Sequence, residues 1–588
     1  MEATGSGGDE ILRRVRVDRE RHASKLAAEY AEAVGRLQEQ LRAGSTDPAP
    51  YCKLARWHAR ADDHDQAIAA CRLGLERIPD DVTLLLALAR LLQETGDARA
   101  AISLLEGVGE PRRNDPVLLM ADALMLPVLY DSEDDIAWWR RRFESGLERL
   151  EGAVDCAVLL GQEALDPWVS AIAPPFLLAC QGVENLDLQV RFGRLVRGIM
   201  EARFPAYGAS IGEDHEEPGG RKLRVGYLSA RLFWGSVAKV GLGWVTHHDR
   251  NRFEVYCYHL GDKTDPTTRK FERHSDVFRH LTDTFASTCE RIATDRLDVL
   301  VLLDVGMDPV MTRLAGLRLA RVQCATCCHP VTTGSPCIDF FLSGELFEPD
   351  GASSSYSEKL IRLPHMGASL AKPAVPKALL TLQRRDFGLE EGAFLFLCCQ
   401  PTWKYLPHHD WIFPAIAERV PSCRFVFTPQ NTRVGDRLLA RIGRSFSRAG
   451  LDGKRFCLRP YREHRFADQY MTPLEFWNLC KVCDAFLDTI GWSGYVSAME
   501  ASACGLPVVT LSDGPARGRQ AAAVLQRAGI EATTGADVQG VVDIAVRLAD
   551  PASADEKRAA CTARLSRVFD DSTCVRALER FYLSAGGW

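Results

Sequence analysis

Between Asp484 and Leu511 the chain reads DAFLDTIGWSGYVSAMEASACGLPVVTL. Ala485-Phe486-Leu487 suits a short buried strand ending at Asp488. Small residues follow (Gly491-Trp492-Ser493-Gly494), a helix is expected from near Ser497, and a second strand is expected at Val508–Leu511 after the Gly505/Pro507 break. Strand, small-residue loop and helix N-terminus together hold phosphate in α/β folds, because free backbone N–H groups and the helix dipole point at the anion. The spacing is neither G-x-G-x-x-G nor a P-loop, so its meaning comes from its surroundings. Arg517 and Arg519 follow the second strand, where a guanidinium can grip phosphate through two parallel bonds. His329 closes another expected strand just before Pro330, at a cleft edge. An imidazole with an ordinary pKa near ~6.5 suits proton traffic or a hydrogen bond to phosphate there. Thr332, Thr333 and Gly334 beside it supply two hydroxyls and an unhindered backbone. Asp339 directly precedes Phe340 in a strand and reads as structural.

Positioning such groups takes more than one domain. A chain of 588 residues exceeds a single core, and about three domains are expected. Residues 9–45 carry the spacing of one charged amphipathic helix. A repeat then appears at an offset of 34: Leu54-Ala55 returns as Leu88-Ala89, Asp63 as Asp97, and Ala67-Ile68 as Ala101-Ile102. That is the tetratricopeptide period, in which each helix pair buries its face only by stacking on a neighbour. Two such units do not suffice alone, so the helical stack is expected to span 47–207. The aromatics Trp138, Trp139, Phe143 and Phe176 serve there as core. The polar, glycine-rich run 208–220 reads as a linker.

From Lys222 the period shortens to that of strands. Strands are expected at Leu223–Leu228, Phe253–Leu260, Leu297–Asp304, Val322–Cys328, Phe340–Ser343 and Leu360–Leu363, with helices between several of them. The pattern resets between residues 370 and 390, then repeats at Phe394–Cys399, Phe425–Thr428, Phe456–Arg459, Asp484–Asp488 and Val508–Leu511. Two successive βαβ series predict two open parallel sheets, one lobe over 221–375 and another over 376–588, with a cleft between them.

Composition narrows the classes. The 46% hydrophobic and 26% charged content is that of globular protein. A net charge of −6 spread without a basic block argues against nucleic acid as partner. No run of 18 apolar residues and no basic-then-apolar leader is present, so a cytoplasmic protein without a membrane span is expected. The 19 cysteines lie mostly inside apolar runs. The pairs Cys324/Cys327 and Cys480/Cys483 have C-x-x-C spacing, but residues three apart on a strand face opposite ways, and core packing is expected rather than zinc.

Taken in order, several motifs resemble the catalytic region of the bacterial relatives of protein O-linked N-acetylglucosamine transferase and the plant Spindly protein. They are Arg224-Val225-Gly226-Tyr227-Leu228-Ser229; His329-Pro330-Val331-Thr332-Thr333-Gly334 with Ile338-Asp339-Phe340-Phe341-Leu342-Ser343; and Tyr356-Ser357-Glu358-Lys359-Leu360-Ile361-Arg362-Leu363-Pro364. In the second lobe come Cys398-Cys399-Gln400 with Lys404-Tyr405-Leu406-Pro407, then Phe486-Leu487-Asp488-Thr489, Gly505-Leu506-Pro507-Val508-Val509-Thr510 and Arg517-Gly518-Arg519. The resemblance runs from about Pro116 to the C-terminus. It implies a tetratricopeptide helical domain followed by a GT-B pair of Rossmann-like lobes. It also implies transfer of a sugar (N-acetylglucosamine or another hexose) from a nucleotide donor, uridine diphosphate-linked, to protein side chains, with inversion and without metal or other cofactor. Lys404 matches the family lysine that contacts the departing phosphates, and His329 joins it as a catalytic candidate. Donor contacts are expected from Lys239, Gln400, Gly494, Tyr495, Ser497, Glu500, Arg517, Arg519, Thr332 and Thr333. Glu500 matches the position that holds the donor ribose, although Ser497 and Glu500 also have capping-box spacing. The repeats would grip the acceptor protein, flagellin or a surface protein by analogy.

Two positions depart from the family pattern. Where relatives show H-S-V-x-K, this chain has Gly235-Ser236-Val237-Ala238-Lys239, so an imidazole is missing. In the phosphate loop Tyr495-Val496-Ser497 keeps one hydroxyl, Ser497, in place of two or three polar side chains. Hydrogen bonds to charged groups are worth roughly 1.5–3 kcal/mol each. A weakened binding scaffold and a transferase with another nucleotide sugar, such as a flagellin-modifying enzyme, are therefore alternative readings. A nucleotide-sugar epimerase is disfavoured, having no use for a repeat array.

Overall fold

The computed structural model describes residues 25–110, 112–208, 220–460, 472–550, 552 and 565–586. The expected N-terminal helix is helical over 25–42, and its earlier part lies outside the described residues, as does most of the 208–220 linker. Tyr30 on that helix bonds His58, and Leu37 and Leu41 are buried against the first repeat.

The repeat appears as helix pairs Pro48–Arg60 with His64–Arg77 and Val82–Glu94 with Ala98–Glu106. A third pair joins Pro116–Ala123 to the long helix Glu133–Leu160. One carboxylate opens each unit: Asp47, Asp81 and Asp115 accept from the backbone N–H groups of Ala49, Leu84 and Val117, each at 2.9 Å. Such caps satisfy otherwise orphaned helix donors. Asp63 and Asp97 cap the second helices in the same way. The aromatics Trp139 and Phe143, together with Leu147, form the core expected there. Beyond, a 3-10 turn at Phe176–Gln181 and the helix Leu186–Arg203 extend the stack.

The first lobe is a seven-stranded parallel sheet of β1 (Leu223–Ser229), β2 (Phe253–His259), β3 (Val277–His280), β4 (Val299–Leu302), β5 (Val322–Thr326), β6 (Phe340–Gly344) and β7 (Lys359–Leu363). The second is a six-stranded parallel sheet of β8 (Phe394–Cys398), β9 (Cys423–Phe427), β10 (Cys457–Leu458), β11 (Ala485–Leu487), β12 (Val508–Leu511) and β13 (Thr534–Gly535). Their orders are β3-β2-β1-β4-β5-β6-β7 and β10-β9-β8-β11-β12-β13. Each is doubly wound, with its direction of winding reversing at β1/β4 and β8/β11, where such sheets leave a crevice beyond the strand ends. Strands β3 and β13 escaped the sequence reading because one is a polar edge of four residues and the other only two. Both C-x-x-C pairs pack in the cores, all four thiols buried. No helix among the described residues is long and apolar enough to cross a membrane.

Chain order and packing differ at the C-terminus. The final helix Thr573–Ala585 follows the second lobe but packs on the first. Tyr582 meets Tyr227 at 3.2 Å, and Glu579 accepts from the Asp249 amide at 2.7 Å and bonds His248. A division at residue 376 therefore assigns this helix to the wrong lobe.

The repeats are docked on the second lobe along the helix Thr432–Arg448. Arg433 pairs with Asp65, Arg437 with Asp97 and Arg444 with Asp131. These exposed pairs contribute little individually. Arg441 is different. Its guanidinium is buried, makes two bonds to Asp410, and donates to the carbonyls of Tyr130 (2.6 Å) and Tyr405 (2.8 Å). Arg441→Ala would strand the buried Asp410 carboxylate and is expected to cost about 3–5 kcal/mol, read as a lowered urea midpoint. A loss below about 1 kcal/mol would show the joint to be an ordinary surface contact.

Candidate functional site

The C-terminal strand ends of the two sheets face each other across a cleft of about 470 Å³. The second lobe brings Gln400, Trp403, Lys404, Trp492, Tyr495, Ser497 and Glu500 to its wall, and the first brings Arg231, Trp234, Lys239 and His329. Phe176 reaches the same cleft from the helical region.

Lys404 lies six residues past β8. Its ammonium donates to Gln400 Oε1 at 2.9 Å and to the Ser493 carbonyl at 3.1 Å, and stands 5.6 Å from the Trp492 ring centroid. Burial lowers its pKa to about 8, and nearby Asp488 opposes that shift. The lysine is thus largely charged at neutral pH, with only neutral oxygens bonded to it. It is ready for an anion.

Asp488, at the end of β11, organises the loop that follows. It accepts from the Ser493 hydroxyl (2.5 Å), the Gly494 amide (2.9 Å) and the Thr510 hydroxyl (2.8 Å). The Gly494 amide is therefore spent on the loop itself. Gly494 matters by its lack of a side chain: a Cβ there would stand 2.4 Å from Gln400 Nε2 and 2.5 Å from Ser497 Oγ. Those two atoms belong to groups that bond each other at 2.9 Å. The helix Val496–Ala503 begins beside them without a side-chain cap. The Ser497–Glu500 capping box does not form. Glu500 instead bonds Lys239 of the first lobe, and the Lys239 ammonium also lies 4.3 Å over the Trp234 ring. Tyr495 lines the cleft with its ring edge-on to Phe347 at 5.1 Å, and its buried hydroxyl has no partner.

His329 is buried among Phe176, at 5.4 Å, and Trp492, at 5.7 Å between ring centroids. Burial, with the Arg517 charge adding to it, lowers its pKa to about 3. It stays neutral at physiological pH and is a weak base, which removes the proton traffic expected from an ordinary histidine.

Four expected contacts point elsewhere. Thr332 and Thr333 are held by Glu358, which accepts both hydroxyls and the Thr333 amide, so they brace the loop after His329 rather than line the cleft. Arg517 is buried and donates to the Val183 carbonyl of the helical region at 2.9 Å, and Arg519 donates to the Ser512 carbonyl. Neither guanidinium reaches the cleft wall. Residues after a strand end can serve the site or the joint beneath it, and spacing alone does not separate the two. Phe176 was missed for the converse reason: its aromatic spacing is that of core residues, and only the fold carries it into the site.

Residues 209–367 match the family model for glycosyl transferase family 41, and residues 58–124 match a tetratricopeptide repeat model. Over these segments the chain is similar to glycosyl transferase family 41 and to tetratricopeptide repeats. This family 41-like chain is 24% identical over 394 residues to the probable UDP-N-acetylglucosamine–peptide N-acetylglucosaminyltransferase SPINDLY of Hordeum vulgare, covering 63% of this chain and 39% of that protein. It is 27% identical over 241 residues to the probable UDP-N-acetylglucosamine–peptide N-acetylglucosaminyltransferase SEC of Arabidopsis thaliana, covering 38% of this chain and 24% of that one. It thus spans well under half the length of these relatives. An O-GlcNAc transferase mutant of Thermobaculum terrenum has the same fold, with a TM-score of 0.65, 22% identity, and coverage of 95% of this chain and 99% of that one.

Gly494→Ala should push Gln400 off Lys404 and lower stability by about 1–3 kcal/mol. Chemical denaturation reads this directly, and an unchanged midpoint would mean that the loop has slack.

Proposed function

We propose that the chain transfers a sugar from a nucleoside diphosphate donor to side chains of an acceptor protein. The observation that carries this reading is Lys404: a desolvated ammonium at the strand ends of one lobe, fixed by Gln400 and Ser493, facing a cleft closed by the other. The relatives' names, which specify UDP-N-acetylglucosamine and peptide, support uridine diphosphate as carrier and N-acetylglucosamine or another hexose as cargo. On this reading the reaction inverts the anomeric carbon, needs no metal, and takes place in the cytoplasm. The repeats receive the acceptor, flagellin or a surface protein.

The chemistry follows from where charge develops. As the bond from the anomeric carbon to the diphosphate stretches, negative charge grows on the leaving oxygen. Lys404 stabilises that oxygen more in the transition state than in the bound donor. The uncapped start of Val496–Ala503, with Ser497 in its first turn, offers N–H groups to the same phosphates. Glu500 takes the ribose hydroxyls once the donor displaces Lys239. Tyr495 narrows the pocket around sugar or base, and Gln400 keeps Lys404 aimed.

Lys404→Ala should leave UDP affinity within about tenfold, while transfer falls by about 10²–10³. Lys404→Arg should not restore it, because a planar fork cannot replace a compact charge. Undiminished transfer by Lys404→Ala would sink the assignment, and a wild type that binds UDP but never transfers sugar would favour a binding scaffold. A second readout uses the depressed pKa. A diphosphate next to Lys404 raises it again, so UDP binding at pH 8–9 should take up a fraction of a proton. Calorimetry in buffers of differing ionisation enthalpy measures this, and in Lys404→Ala the uptake should vanish.

A further inference from the structure

The proposed transfer needs a group to receive the proton of the acceptor nucleophile. The family imidazole is absent at Gly235, and His329 is too weakly basic in its aromatic surroundings. Glu500 is committed to Lys239 and, on the reading above, to the ribose hydroxyls once the donor is bound. Several acids follow the first lobe's strands; Asp265 and Glu348 are held there by hydrogen bonds, and Asp304 is the most buried of them. Asp304 follows β4 by two residues, beside Ser229 at the end of β1, at the point where the sheet reverses its winding. It has no solvent exposure, and neither carboxylate oxygen accepts a hydrogen bond of ordinary geometry. Buried carboxylates are costly unless paired, and one kept unpaired calls for a reason.

Its neighbours define what it can do. Arg231, on the loop after β1, holds Nε 3.9 Å from Asp304 Oδ2 while its side chain is 44% exposed on the cleft wall. Met307 and Cys328 complete that wall. The contact is too long for a hydrogen bond, so Arg231 covers the carboxylate without neutralising it fully. Asp304 thus lies directly behind the half-exposed Arg231 side chain that lines the cleft.

We propose that Asp304 is the proton acceptor of the transfer reaction, uncovered when Arg231 moves aside for the acceptor. This rests on the transferase reading above. The acceptor hydroxyl gives its proton to Asp304, and its oxygen forms the bond to the anomeric carbon. The bond from that carbon to the diphosphate breaks, and its electron pair stays on the phosphate oxygen beside Lys404. A base works best with a pKa near the working pH. Burial raises Asp304 to about 7 and Asp308 adds to the rise, while the Ser229 hydroxyl, Arg231 and the Ala230 amide oppose it. The Cys328 thiol facing it is itself pushed up to about 12 and stays neutral.

The test is Asp304→Asn, equal in shape and without charge, in the full chain with UDP-N-acetylglucosamine and an acceptor protein. UDP affinity should hold within about threefold and turnover should fall by about 10²–10⁴. In the wild type, turnover should climb with pH to a plateau above about pH 7; in Asp304→Asn this acid limb should disappear. Arg231→Ala, which removes a charge that favours ionisation, should move the limb to higher pH. Folding gives a control. The native carboxyl holds its proton to higher pH than the unfolded one, so the wild type should lose stability relative to Asp304→Asn as pH rises from about 4 to about 7. If the wild type transfers sugar and Asp304→Asn does so at the same rate with its acid limb intact, this proposal alone is overturned. If the wild type binds UDP and transfers nothing, the transferase reading falls and takes this proposal with it.

Discussion

The position of the repeats relative to the cleft depends on one buried guanidinium. Arg441 sits in a helix of the second lobe and divides its donors among Asp410, the Tyr405 carbonyl and the Tyr130 carbonyl. Tyr405 is the residue after Lys404, and Tyr130 belongs to the third repeat unit. A planar fork bonded on all sides fixes direction as well as distance, which a flexible ammonium would not do. The loop that carries Lys404 and the array proposed to carry the acceptor are therefore referenced to one atom group. The exposed pairs at Asp65, Asp97 and Asp131 follow the same helix and contribute register more than energy.

The helical region also joins the lobes directly. Gly193 on its last long helix meets the Gly334 carbonyl so closely that a Cβ would stand 2.1 Å from that oxygen, and Gly334 itself adopts φ +68°. On the other side Arg517 reaches back to the Val183 carbonyl, and Phe176 wedges between His329 and Trp492. The cleft thus has three walls, one of them helical. The helical region accordingly contributes to the site as well as to any acceptor groove.

Much of this was legible in the sequence, and the rest was hidden for definite reasons. Strand positions were readable because a doubly covered parallel sheet requires continuous apolar runs, as in Val299–Leu302. The repeat was readable because Leu54-Ala55, Asp63 and Ala67-Ile68 return 34 residues later, Asp63 and Asp97 each capping a helix. The return of Thr573–Ala585 to the first lobe was not, since periodicity reports which face is buried and not against what. Side-chain roles were the least legible. Thr332 and Thr333 have the right hydroxyls, yet Glu358, read only as part of a motif, claims both. Glu500 had two local uses on paper and found a third partner 261 positions away. Asp304 was read as the last residue of a strand, where a carboxylate normally turns out to solvent. Its burial follows from the adjacency of β1 and β4, which no local pattern contains.

The electrostatics of the cleft are divided between its walls. The second lobe offers a cation bonded only to neutral oxygens and an uncapped helix start, while the Glu500 carboxylate on the same wall is paired with Lys239 of the first lobe. The first lobe offers a buried carboxylate, Asp304, with the half-exposed Arg231 guanidinium 3.9 Å from it. On the proposed reading each wall serves one half of a charge separation: negative charge arriving at the leaving oxygen and a proton departing from the nucleophile. Because Asp304 is buried and Lys404 half-buried before any ligand enters, part of the desolvation cost is carried by the fold. The interlobe pair Lys239–Glu500 fits the same division. It satisfies two charges that would otherwise stand unpaired in the empty cleft, and it is the contact a ribose would have to open. On the proposed reading, a donor that opened it would free Lys239 beside the Trp234 ring of the first lobe.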